Sequence, residues 1–204
     1  MSEQIRILLA DDQHLVRGAL AALLSLEADL EVVAEVSRGD EVVDRARETR
    51  PDVALLDVEM PGADGITATR DLRTALPDCR VLVVTTFGRP GYLRRALAAG
   101  ASGFVVKDTP ASQLADSIRR VHQGLRVVDP TLAVESLTAG ESPLTARERD
   151  VLLETRGGGT VADIARALVL SEGTVRNHLS SAIGKTGART RAEAVRIADS
   201  NGWL

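Results

Sequence analysis

Five short runs dominated by Val, Ile, Leu and Ala recur through the first 123 residues, at 5–10, 31–36, 53–57, 80–85 and 103–106. Continuous runs of this length suit strands of a parallel sheet that is covered on both faces. Between them apolar residues return every three or four positions: Leu15, Ala19, Leu20, Leu23 and Leu24; Val42, Val43 and Ala46; Leu93, Leu97 and Ala98; Leu114, Ile118 and Val121. That is the spacing of a helix with one buried face. Strands alternating with helices predict a doubly wound α/β domain with five parallel strands. Gly100, between a helical pattern and a strand, is the expected helix C-cap.

After residue 123 the periodicity fades. Gly, Pro, Ser and Thr are scattered through 124–142, which reads as a linker with one short helix around 132–137. From Leu144 onward only helical patterns remain. They predict four helices, over about 146–153, 161–168, 172–186 and 191–201. Thr145 followed by Glu148 is a capping box that opens the first. The expected division is therefore 1–123, 124–142 and 143–204, an α/β domain followed by an all-α one.

The strand ends carry the chemistry. Asp11 and Asp12 close the first run, Asp57 the third, Thr85 the fourth, and Lys107 follows the fifth. Open parallel sheets bind ligands beyond the carboxyl ends of their strands, so these groups should converge. Three carboxylates packed together repel, and a hard cation with oxygen ligands, Mg²⁺ or Mn²⁺ in its place, removes the repulsion. Asp57 as nucleophile, Thr85 as hydrogen-bond donor and Lys107 as counter-charge form a set suited to phosphoryl transfer onto a carboxylate. One Asp at a strand end is ordinarily a helix cap and one Lys a solvated charge. The coincidence at four strand ends is what points to a site.

Asp11-Asp12, Asp57 followed by Met60-Pro61-Gly62 and Gly65, Thr85 and Lys107 together resemble the receiver domain of response regulators over residues 4–123. The resemblance implies a flavodoxin-like fold and a sensor histidine kinase that supplies the phosphoryl group. It implies Asp12, Asp57 and the backbone carbonyl of Glu59 as direct metal ligands, with Asp11 acting through water. It also implies a switch pair, Thr85 and Phe104, that rearranges on phosphorylation, while Glu59 and Phe87 flank the path of the hydrolytic water. A hydrolase of the haloacid-dehalogenase type would want an acid two residues beyond its nucleophile in an Asp-x-Asp-x-Thr/Val setting. Here the run is Asp57-Val-Glu-Met-Pro. A receiver that only scaffolds a dimer is the other alternative, and the complete acidic set speaks against it.

Charge sharpens the two-domain picture. The net charge is −4, with 15 Lys+Arg against 19 Asp+Glu in residues 1–124 but 9 against 7 in 143–204. An acidic half and a mildly basic half suggest different partners. Cys79 is the only cysteine, which excludes an internal disulfide and a cysteine-based zinc cluster. No apolar run approaches the roughly 20 residues that cross a bilayer, and the N-terminus lacks a secretory pattern, so the expectation is a cytoplasmic protein without a membrane partner.

In the C-terminal part, 161–168, a tight turn and 172–186 have the layout of a helix-turn-helix, with Ser171 as N-cap. Val175, Leu179 and Ile183 would face the core, leaving Glu172, Thr174, Arg176, Asn177, Ser180 and Ser181 toward a groove; Arg and Asn suit bidentate reading of guanine and adenine edges. Leu144-Thr145-x-Arg147-Glu148, Ile164-Ala165, Leu170-Ser171, Thr174-Val175, His178, Lys185 and Arg191-x-Glu193-Ala194 resemble the four-helix LuxR-type DNA-binding domain. Receiver plus this module defines the NarL/FixJ family, and the stretches at 85–92 and 187–191 look most like DesR-type regulators. The resemblance implies promoter DNA as a partner, with Lys185, Arg189 and Arg191 on phosphates, a homodimer formed on phosphorylation, and RNA polymerase as a further candidate partner. His178 lacks a second metal ligand at suitable spacing and reads as a packing or phosphate residue. Ser180 stands where some relatives carry a long basic side chain, so base readout would rest mainly on Arg176 and Asn177.

Overall fold

The computed structural model describes residues 4–86, 90–130, 132–134 and 142–204. They divide into two compact units, one holding every strand and the helices between them, the other holding the last four helices.

The first unit alternates β1 (Ile5–Ala10), α1 (His14–Leu24), β2 (Leu30–Val36), α2 (Val42–Thr49), β3 (Val53–Leu56), α3 (Gly65–Ala75), β4 (Arg80–Thr85), α4 (Pro90–Ala98), β5 (Gly103–Val106) and α5 (Ala111–His122). The strands are parallel, in the order β2-β1-β3-β4-β5-β6, where β6 is Val127–Val128. Chain order reverses between β1 and β3, so the carboxyl ends of those two strands flank the crevice in which such sheets bind ligands. Every residue of β3 is buried, as the unbroken apolar run requires of a strand covered on both sides. One face packs Leu24 of α1 and Leu114, Ile118 and Val121 of α5. The other packs Val42, Ile66, Leu72 and Leu93, from α2, α3 and α4. Gly100 has the left-handed φ of +100° expected of it, and its N–H donates to the Leu97 carbonyl at 3.1 Å.

Among the described residues the sheet has six strands, one more than the five expected. The additional strand lies in the stretch read as linker, and it depends on Gly103. A Cβ at Gly103 would stand 2.7 Å from Leu82 Cδ1 and 2.8 Å from the Val127 carbonyl. Glycine thus lets β6 approach β5, where Val127 N–H donates to the Ser102 carbonyl at 3.1 Å. Beyond β6, Asp129 caps a helical turn through Leu132 N–H (3.2 Å), and Leu132 is buried in the same cluster as Phe104. Of the helix expected over 132–137, residues 132–134 are helical and the rest lie outside the described residues.

Among its described residues the second unit forms helices α6 (Ala146–Arg156), α7 (Val161–Leu168), α8 (Glu172–Thr186) and α9 (Arg191–Ser200). Each begins with a side-chain cap: Thr145 and Thr160 in capping boxes, then Ser171 and Thr190. These caps satisfy backbone N–H groups that no helix can satisfy for itself. Val151, Leu152, Ile164, Val175, Leu179 and Ala194 make the core.

Candidate functional site

The acidic groups named from the sequence meet at the carboxyl edge of the sheet. Carboxylate oxygens of Asp11, Asp12 and Asp57 all lie within 4.8 Å of one another. Backbone pairing sets this up: Asp57 N–H donates to the Ala10 carbonyl at 2.9 Å, and Lys107 N–H donates to the Thr85 carbonyl at 2.8 Å. Asp11 is 2% exposed and Asp57 4%, while Asp12 faces solvent. The Lys107 ammonium bridges the buried pair, at 2.7 Å from Asp11 Oδ2 and 2.8 Å from Asp57 Oδ2. Val58 N–H donates to Asp57 Oδ1 at 2.7 Å, and Gln13 N–H to Asp11 Oδ1 at 2.9 Å.

Electrostatics follows from burial. Loss of water pushes the Asp57 carboxyl above its ordinary range; the bond from Lys107 opposes the shift and the charge on Asp11 reinforces it. Burial alone would lower Lys107, but its bonds to Asp11 and Asp57 outweigh that and hold the ammonium above its usual value. Three carboxylates against one ammonium leave two negative charges on a set of oxygen donors. That is the donor set and charge which a divalent hard cation fits.

Thr85, at the end of β4, is buried, and Phe104 on β5 is fully buried. The Glu59 side chain is exposed. Gly65 opens α3 directly against the site, where a Cβ would fall onto the Asp57 carbonyl. Phe87 lies outside the described residues.

The C-terminal helices place their polar side chains less uniformly. Arg176, Asn177 and Ser180 are exposed on α8, opposite buried Val175, Leu179 and Ala182. Arg176 pairs with Glu172 at 2.6 Å, an exposed (i, i+4) pair that contributes little. Thr174 is half-buried, its hydroxyl 2.8 Å from that of Ser171 within the cap. Arg189 and Arg191 are exposed at the start of α9, with Arg191 donating to the Gly159 carbonyl at 3.3 Å. Ser181 and Lys185 have protein partners: both donate to Glu148, at 2.6 and 2.7 Å. His178 is half-buried.

Residues 7–119 match the response regulator receiver domain, and residues 142–198 match the luxR family of bacterial regulatory proteins. The chain belongs to the response regulators with a LuxR-type helix-turn-helix. This response regulator is 40% identical to the transcriptional regulatory protein DesR of Bacillus subtilis, across 98% of this chain and 99% of that one. It is likewise 40% identical to the response regulator RamR of Streptomyces coelicolor, over the whole of both chains. Among solved structures, the response regulator ChrA of a heme-sensing two-component system shares 33% identity, at a TM-score of 0.60 over 98% of this chain and 99% of that one. RcsB of Salmonella enterica, bound to promoter DNA with a phosphomimetic, is similar in fold, with a TM-score of 0.72 at 23% identity over 97% of this chain and 99% of that one.

Such response regulators are transcription factors, not classical enzymes. What sequence reasoning missed in this response regulator is the second role of Glu148, which it saw only as a capping-box residue. The cap is a local pattern three residues long; partners 33 and 37 residues away leave no mark on it.

Proposed function

We propose that Asp57 is the phosphoacceptor, taking a phosphoryl group from the phosphohistidine of a sensor histidine kinase. The observation that carries this is one ammonium, Lys107, held within 2.8 Å of both Asp11 and Asp57 in a buried carboxylate cluster. In the transfer, an Asp57 carboxylate oxygen forms a bond to phosphorus while the bond from phosphorus to the histidine nitrogen breaks, leaving an acyl phosphate. Lys107 moves its attraction from the Asp57 carboxylate to the new phosphoryl oxygens, and Thr85 donates a hydrogen bond to them. Asp12, Asp57 and the Glu59 carbonyl, with Asp11 through water, would hold Mg²⁺, or Mn²⁺ in its place. When bound, the cation supplies charge neutralisation for the transferred group.

In the C-terminal unit, Arg176 and Asn177, with Thr174 and Ser180 beside them, read base edges, while Arg189 and Arg191 hold phosphates. The functional limits we assign are a receiver over 1–123, a linker over 124–142 and a DNA-binding domain over 143–204. Phosphorylation shifts the population toward a homodimer that engages paired half-sites on a promoter. The protein would work in the cytoplasm, where kinase and promoter meet.

A small-molecule phosphodonor with Mg²⁺, followed by a phosphate-affinity gel, tests the acceptor. The wild-type chain should give a retarded band that Asp57→Asn lacks. A band that persists in the variant moves the acceptor elsewhere, and no band in either counts against phosphorylation.

A further inference from the structure

Glu148 sits in the first turn of α6 and is 4% exposed. Its Oε2 accepts from Thr145 N–H at 2.7 Å and from the Lys185 ammonium at 2.7 Å, and its Oε1 accepts from the Ser181 hydroxyl at 2.6 Å. A carboxylate leaves water only with a full set of donors. Here one donor is the N-cap of α6 and two stand one turn apart on α8. At 3.6 residues per turn, Arg176, Asn177 and Ser180 fall within about 100° of one another, opposite the buried stripe. Ser181 and Lys185 lie on the flank between that face and the core. A bond on the flank adds to the packing of the buried stripe in resisting rotation of the helix about its axis.

We propose that Glu148 is a positioning residue for DNA recognition. It clamps α8 through Ser181 and Lys185, fixes which side chains face the groove, and pairs the partly exposed Lys185 ammonium with a buried carboxylate rather than with a phosphate. The inference rests on the DNA-binding reading above and sets aside, as direct DNA contacts, two residues expected from the sequence, Ser181 and Lys185.

The full-length phosphorylated protein can be titrated with a duplex enriched by selection and with a scrambled duplex of equal length, over a salt series. A protein that releases one counterion fewer loses about 0.9 from the slope of log affinity against log salt. The Lys185→Met/Glu148→Gln double variant, which removes both charges and keeps similar shapes, should retain the wild-type slope. Glu148→Gln alone should lower the preference for the selected duplex about tenfold without weakening the scrambled duplex, the size of one lost base contact. A general loss of folded protein would weaken both duplexes alike. Lys185→Arg should restore most of the preference that Lys185→Met loses. A slope lower by about one in the double variant, or an unchanged preference in Glu148→Gln, overturns the proposal.

Denaturant unfolding followed by Trp203 fluorescence reads the clamp without DNA. The single variants Glu148→Gln and Lys185→Met should couple, so that the double loses less than the sum; additive losses also overturn the proposal. A wild-type protein that selects no duplex while this coupling holds would sink the DNA-binding reading and leave the clamp standing.

Discussion

Lys107 touches two carboxylates at once, and what happens when it is removed follows from charge alone. Lys107→Met would leave Asp11 and Asp57 buried side by side with no cation between them. Removing one partner of a buried ionic group costs about 3–5 kcal/mol, so the first unit should unfold at lower denaturant. Mg²⁺ would then offset a larger repulsion, and the gain in thermal midpoint on its addition should exceed that of the wild type. An equal or smaller gain would mean the cation binds elsewhere. Glu148 makes a pH prediction. Burial opposes its charge, but the donors from Lys185, Ser181 and Thr145 outweigh burial and lower its pKa from 4.5 to about 2. A carboxyl with a depressed folded value contributes stability that is complete above about pH 4.5 and lost as pH falls through about 2. Trp203 is the only tryptophan and packs against the second core, so its fluorescence reports that unit. Acid unfolding by this signal should be steep across that window in the wild type and flatter in Glu148→Gln.

At the scale of elements, β6 depends on a missing side chain. Gly103→Ala puts a methyl into space already occupied by Leu82 and the Val127 carbonyl. Overpacking of this kind costs about 1–3 kcal/mol. Hydrogen exchange should show the Val127 and Asp129 amides losing protection while the β3 amides keep theirs; protection retained at both would mean that β6 adapts. The same element shows where sequence stops being legible. Long periodic stretches read through well: α7 and α8 end where the apolar spacing placed their ends, because an amphipathic face persists for two turns or more. β6 has two residues, too few for any period, and its reason for pairing is a glycine far back in the chain. α3 carries only a weak helical pattern in the sequence because its buried face mixes Ile66 and Leu72 with Ala68 and Thr69, which carry little apolar signal. At the site, strand ends bring Asp11, Asp57 and Lys107 together by topology, so a pattern of strands was enough to predict them. The bonds from Ser181 and Lys185 to Glu148 depend on how α6 and α8 pack, which periodicity does not encode: it says which face a residue occupies and not what it touches there.

For the whole molecule, the two halves carry different charge and different chemistry, and they must be coupled to make a regulator. The C-terminal excess of 9 Lys+Arg over 7 Asp+Glu is small, so few phosphate contacts and weak affinity are expected of a monomer. Joining two copies on paired half-sites multiplies the contacts without new chemistry. Size-exclusion chromatography with light scattering should therefore show a heavier species with a phosphoryl mimic than without it, and the same mass in both would remove dimerisation from the scheme. Selection of binding sites from random duplex DNA, using protein treated with phosphodonor and Mg²⁺, joins the acceptor to the helices in one measurement. The wild type should enrich a motif of two related half-sites, and Asp57→Asn treated in the same way should enrich it weakly or not at all. Enrichment of one motif to the same extent by both proteins would contradict the coupling of Asp57 to DNA binding.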